Sequence, residues 1–153
     1  MTVRLAGLLA WGLLAGVMAA QAGGAHRLDD SATSVEQAPP RMEWLPPRPG
    51  TPADMLTTQL VVNVRIDTRQ WVGRQARVYM VLPPDESPPL ALSWTSNGRL
   101  LPGQLASGER ALVYVGPIDA PLLQDRLTIQ VMARANWLGS SRRLTVHFEC
   151  EPN

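Results

Sequence analysis

From residue 60 onward, apolar and polar positions alternate with a period of two over most of the chain, which is the pattern of half-buried β-strands. Leu60, Val62, Val64 and Ile66 alternate with Val61, Asn63, Arg65 and Asp67. Ala76, Val78, Met80 and Leu82 form one face of a second strand, with Gln75, Arg77, Tyr79 and Val81 on the other. Pro83-Pro84 ends that strand, because proline cannot continue the ladder. A third strand covers residues 90–96 and places Trp94 on the Leu90–Leu92 face, in the core. Asn97-Gly98 then predicts a type I′ hairpin turn returning through residues 99–101. Pro102-Gly103 and Ser107-Gly108 read as further turns, and residues 110–115 as a strand closed by Gly116-Pro117. After a loop at 118–125, Leu127, Ile129, Val131 and Ala133 mark one strand and Leu144, Val146 and Phe148 the last, with a turn at 136–141 between them.

Six to seven short strands separated by Gly/Pro turns, without an amphipathic helix, predict an all-β antiparallel β-sandwich, immunoglobulin-like or jelly-roll, over residues 55–153. A small closed barrel is the alternative, because the same alternation builds both. Residues 23–38 show neither strand nor helix periodicity and are expected to be disordered. Residues 39–52 carry six prolines, which fix φ and remove amide donors, so a stiff spacer or a strap along the domain is expected, with Trp44-Leu45 docking on its surface. Residues 23–54 are thus a lead segment to the domain.

Residues 1–22 have a different character. Arg4, the apolar run from Leu5 to Val17 and Ala20-Gln21-Ala22 form the charged, apolar and small-x-small regions of a signal peptide. A periplasmic or secreted location is expected, and the run is too short to span a bilayer. All 14 basic residues are arginine; without Arg4 the 13 that remain balance 13 acidic residues. Scattered, balanced charge argues against a nucleic-acid or anionic-membrane partner. Cys150 is the single cysteine and cannot pair within the chain. It is either an idle thiol at a strand end or one half of an intermolecular disulfide.

Candidate chemistry is sparse. A zinc site needs three or four converging ligands, and the chain offers His26, His147 and Cys150. Cleavage after Ala25 would make His26 the N-terminus and, with His147, give a copper site that resembles secreted histidine-brace proteins in outline. His147 and Cys150, three apart on a strand, project to opposite faces and form no dyad. No G-x-S-x-G is present, and the serines sit where turn chemistry explains them. Acidic pairs such as Asp29-Asp30 read as solvated loops, and no cofactor is implied. Trp71 beside Arg74 and Trp137 beside Arg142-Arg143 have the composition of an interface hot spot or a sugar-stacking platform.

These observations favour a non-enzymatic protein-binding module whose partner is another envelope or secreted protein, as an assembly component or an inhibitor. A carbohydrate-binding module using Trp71 and Trp137 is the alternative, and the copper site at His26 a second one. Pilus and adhesin subunits share the expected architecture, but the paired cysteines and the apolar alternation of a donor strand are absent here.

Overall fold

The computed structural model describes residues 24–36, 41–84, 90–136 and 144–153. The expected leader, the turn bearing Trp137 and the Arg142-Arg143 pair fall outside them. Among the described residues ten strands run in the order β1 (His26–Arg27), β2 (Ser34–Val35), β3 (Glu43–Trp44), β4 (Met55–Asp67), β5 (Gln75–Val81), β6 (Ala91–Ser96), β7 (Gly103–Ala106), β8 (Arg110–Pro117), β9 (Leu122–Arg134) and β10 (His147–Pro152). They form two antiparallel sheets, one of four strands in the order β1-β10-β5-β8 and one of six in the order β2-β4-β9-β6-β7, with β3 also paired to β4. The fold is a β-sandwich; the sheets do not close into a barrel.

The predicted alternation builds the core directly. Val62, Val64 and Ile66 of β4, Leu127, Ile129, Val131 and Ala133 of β9, and Leu92 and Trp94 of β6 are buried against Ala76, Val78 and Met80 of β5 and Phe148 and Cys150 of β10. The longest ladder pairs β4 with β9 from Met55↔Arg134 to Asp67↔Leu122, thirteen residues a side or about 40 Å. β9 therefore begins inside the segment expected to be a loop at 118–125.

The expected Asn97-Gly98 hairpin is not formed. Gly98 does not have a positive φ, and β6 pairs instead with β7, from Ala91↔Ala106 to Trp94↔Gly103. Asp125 of β9 overrides the local signal. Its carboxylate accepts hydrogen bonds from the Ser96 hydroxyl and the Leu100 amide, both at 2.7 Å, and holds residues 97–102 as a long loop.

The lead segment is also not as expected. Residues 24–36 are ordered and link the two sheets: β1 pairs with β10, Asp29 bridges to Asp67, and β2 pairs with β4. Leu28 is buried between them, with its amide donating to the Phe148 carbonyl at 2.8 Å. Two-residue strands anchored by one apolar side chain leave no periodicity to read. The proline-rich part is a strap, with Glu43-Trp44 paired to Leu56-Thr57 and the Leu45 amide donating to Met55. Met42, rather than Trp44, packs on the core; the Trp44 side chain remains 64% exposed.

Candidate functional site

At one end of the sandwich β4 leaves its sheet through a tight 3-10 turn at Arg69–Trp71. Asp67 shapes the turn: its Oδ1 accepts the Arg69 amide at 3.0 Å and its two oxygens grip the Arg69 guanidinium. Thr68, buried, fixes the base of the turn by donating its amide and hydroxyl to the Pro121 and Ala120 carbonyls. Gly73, at φ 84°, adopts the left-handed conformation that turns the chain back into β5. These bonds rotate Trp71 inward, where it is only 9% exposed and belongs to the core.

Three residues reached from two separate sequence arguments meet here. The His26 ring lies 5.0 Å from that of Trp71, inclined by 47°, and the Arg74 guanidinium lies 5.7 Å from the Trp71 centroid. β1 and the turn enclose a cleft of about 500 Å³ lined by His26, Arg27, Asp29, Asp67, Arg69 and Gln70, with Trp71 against it. Hydrogen bonds from Ser31 hold the Asp29 carboxyl below its ordinary pKa, and those from Arg69 do the same for Asp67. Sequence reading passed over Asp67, Arg69 and Gln70. The legible signal was an aspartate at a strand end two residues before an arginine, the composition of an Asx-turn.

Other candidates are not brought together. His26 is the register partner of the inward Cys150, whereas His147 is in register with Val81 on the outer face and lies 3.0 Å from Glu149. The two histidines thus lie on opposite sides of their sheet. No group of three or more His, Cys, Asp or Glu side chains able to hold a metal occurs among the described residues. Cys150 is 1% exposed on an interior strand, and burial pushes its thiol up to about 11. A disulfide to another chain would need β10 to leave the sheet. Trp137, Arg142 and Arg143 lie outside the described residues. With its indole 9% exposed, Trp71 offers a ligand little ring surface of its own. Ser96 and Ser107 serve turns, Ser96 through Gly98 and Asp125, Ser107 by accepting the Leu90 amide.

The outer faces of the two sheets differ in chemistry. On the six-stranded sheet, Gln59, Gln130, Ser93 and Gln104 stand in one register row across four strands, beside Thr128 and Thr95. That row is polar and uncharged. On the four-stranded sheet, Tyr79 faces Leu112 and Arg77 faces Val115, with Val81 beside Tyr79 on β5. Leu112 is 36% and Val115 53% exposed. A bulge causes this apolar group. In a regular strand residues 112 and 115 point to opposite faces, but the register shifts between Val78 and Tyr79, Val113 and Tyr114 are both buried, and Leu112 and Val115 emerge together. Arg77, Arg110, His147, Glu149 and Glu151 surround them; the Arg110 guanidinium lies 4.3 Å from the Tyr79 ring centroid and pairs with Glu151.

No family model and no curated protein matches the chain. Among solved structures, TmCBM61, a protein determined in complex with beta-1,4-galactotriose, aligns at 7% identity and a TM-score of 0.30, covering 78% of this chain and 82% of its own. A likeness of that degree transfers neither fold nor ligand.

Proposed function

We propose that the chain is a non-catalytic protein-binding module acting outside the cytoplasm, and that it docks through the outer face of its four-stranded sheet. The observation that carries this reading is the outward-facing Tyr79, Val81, Leu112 and Val115 group inside a charged rim, with Leu112 and Val115 exposed and Tyr79 and Val81 half-buried. An apolar and aromatic centre bordered by arginine and carboxylate is the anatomy of a protein interface. The neutral amide row on the other sheet lacks that centre. The extracytoplasmic location is supported by the composition of residues 1–22.

The edge of the sheet is shielded from simple strand addition. The bulge at Val113, the positive φ of Gly116 at 143°, Pro117 and the bond from the Leu101 amide to the Val113 carbonyl all interrupt the free side of β8. Docking therefore engages side chains on the face, with the half-exposed Leu101 beside the edge.

The test compares three immobilised proteins exposed to the extracytoplasmic fraction: the unaltered chain, a Leu112→Glu/Val115→Glu variant and a Gln130→Glu variant on the opposite sheet. A protein retained by the first and third and lost from the second supports the reading. Equal retention by all three overturns it. Thermal unfolding checks that the surface variants keep the fold, since exposed substitutions of this kind shift stability by about 0.5 kcal/mol or less.

A further inference from the structure

The end cleft lies at the β1 edge of the same sheet, where Arg27 is the register partner of Glu149, and its chemistry points to a different ligand. We propose that it binds a neutral saccharide. Its volume of about 500 Å³ lies within the roughly 300–1,000 Å³ of small-molecule sites. Its formal charge is balanced, with Arg27 and Arg69 against Asp29 and Asp67, so it offers no net attraction to an anion or a cation.

Its polar groups are planar and of both kinds. Carboxylate oxygens accept, guanidinium donates, and the carboxamide of Gln70 and the imidazole of His26 can do either. A sugar hydroxyl both donates and accepts, and neighbouring hydroxyls are spaced to match such forks. The two charged groups that set the shape are themselves pinned. Asp67 engages the Arg69 Nε and Nη2, which leaves Nη1 of a 76% exposed side chain for a ligand. Asp29 is fixed through Oδ1 by the Ser31 amide. A preorganised polar cleft loses little further entropy on binding.

The apolar requirement is met by His26. Its ring is exposed and lies 5.0 Å from the Trp71 indole, inclined to it by 47°, so the pair gives the cleft an aromatic wall that the C–H face of a pyranose can contact. A divalent cation fits less well, because Arg69 already occupies the Asp67 carboxylate and no three-ligand group is present among the described residues.

The experiment titrates the isotopically labelled protein separately with lactose, cellobiose, maltose, sodium sulfate and calcium chloride while amide and indole resonances are followed. Saturable shifts at His26, Arg69, Gln70 and the Trp71 indole N–H with at least one disaccharide, weakened at least about tenfold in both Gln70→Ala and His26→Ala, are expected; tenfold corresponds to about 1.4 kcal/mol, within the range of lost hydrogen bonds. The proposal is overturned if no disaccharide shifts these resonances, if only sulfate or calcium does, or if the shifts map to the Gln59–Gln130 row. The Leu112→Glu/Val115→Glu variant should bind the sugar unchanged, so this result is independent of the protein-docking reading.

Discussion

The carboxylate of Asp125 reaches across from β9 to accept the backbone amide of Leu100 at 2.7 Å, and the same oxygen accepts the Ser96 hydroxyl at 2.7 Å. Oδ1 takes the Arg126 amide. One side chain therefore sets the connection between β6 and β7 and brings Leu100 into the core. Asp125→Ala leaves the Leu100 amide and the Ser96 hydroxyl without this acceptor, and each group left unpaired costs about 1–3 kcal/mol. A loss of about 2 kcal/mol in urea unfolding is expected, with the denaturant slope unchanged. A loss below about 0.5 kcal/mol would show that the loop holds its shape without Asp125.

Gly103 opens β7 directly over the Trp94 indole: a Cβ there would sit 2.8 Å from Cζ2 of the ring. The ring cannot step aside, because its Nε1–H donates to the Leu101 carbonyl at 2.9 Å and the rest is buried. Gly103→Ala should destabilise the fold by about 1–3 kcal/mol through overpacking. Thermal unfolding of Gly103→Ala beside Gly50→Ala, whose Cβ would meet open space at a φ of 83°, separates steric conflict from backbone strain.

What the sequence revealed and what it hid have distinct physical origins. Strands with one face buried repeat every two residues, so the inward sets from Val62 to Ile66, Ala76 to Leu82 and Leu127 to Ala133 were legible. The loop after β6 was misread because Asn97-Gly98 is a local signal, while Asp125 acts from 25 residues beyond Leu100. The start of β9 was hidden because Asp125, needed for that loop, interrupts the apolar period. The apolar outer patch was illegible for the opposite reason: the bulge at Val113 changes parity, and no residue pattern marked it. Trp71 looked like a loop aromatic because the 3-10 turn that rotates it inward depends on Asp67 and on long-range bonds to Ala120, Pro121 and Ile118.

Leu28 is the sole large apolar anchor of residues 24–36, and its burial joins β1 and β2 to opposite sheets. Leu28→Ala should cost about 2–4 kcal/mol, the scale of a buried leucine truncation. The same variant should raise amide hydrogen exchange at His26 and Arg27 more than in β4. Unchanged protection at β1 would mean that backbone pairing with β10 holds the segment without the side chain.

The Arg69 guanidinium holds the Asp67 carboxyl below 3.8 in the folded protein. The unfolded chain binds that proton at higher pH, so the stabilisation is present above the unfolded pKa and is lost as pH falls through the folded one. Arg69→Met should lower stability slightly at neutral pH, by the small amount expected of an exposed pair, and flatten the acid limb of the stability–pH curve below about pH 5, so that the two curves converge in acid. Parallel acid limbs in the two proteins would remove Asp67 from the linkage.

Cys150 carries the opposite linkage. Burial, with a smaller contribution from Glu151, raises its thiol from 9.0 to about 11, so the folded state keeps the proton that the unfolded state releases first. Stability from this source is complete below pH 9 and declines as pH rises through 11, by about 3 kcal/mol over the full window. The stability–pH curve of the unaltered protein minus that of Cys150→Ala isolates this contribution from tyrosines and arginines common to both. The same burial makes the thiol inert to a disulfide reagent in the native state and reactive after unfolding. Rapid native modification at neutral pH would show that β10 opens, and would return Cys150 to the surface as a point of attachment for a second chain.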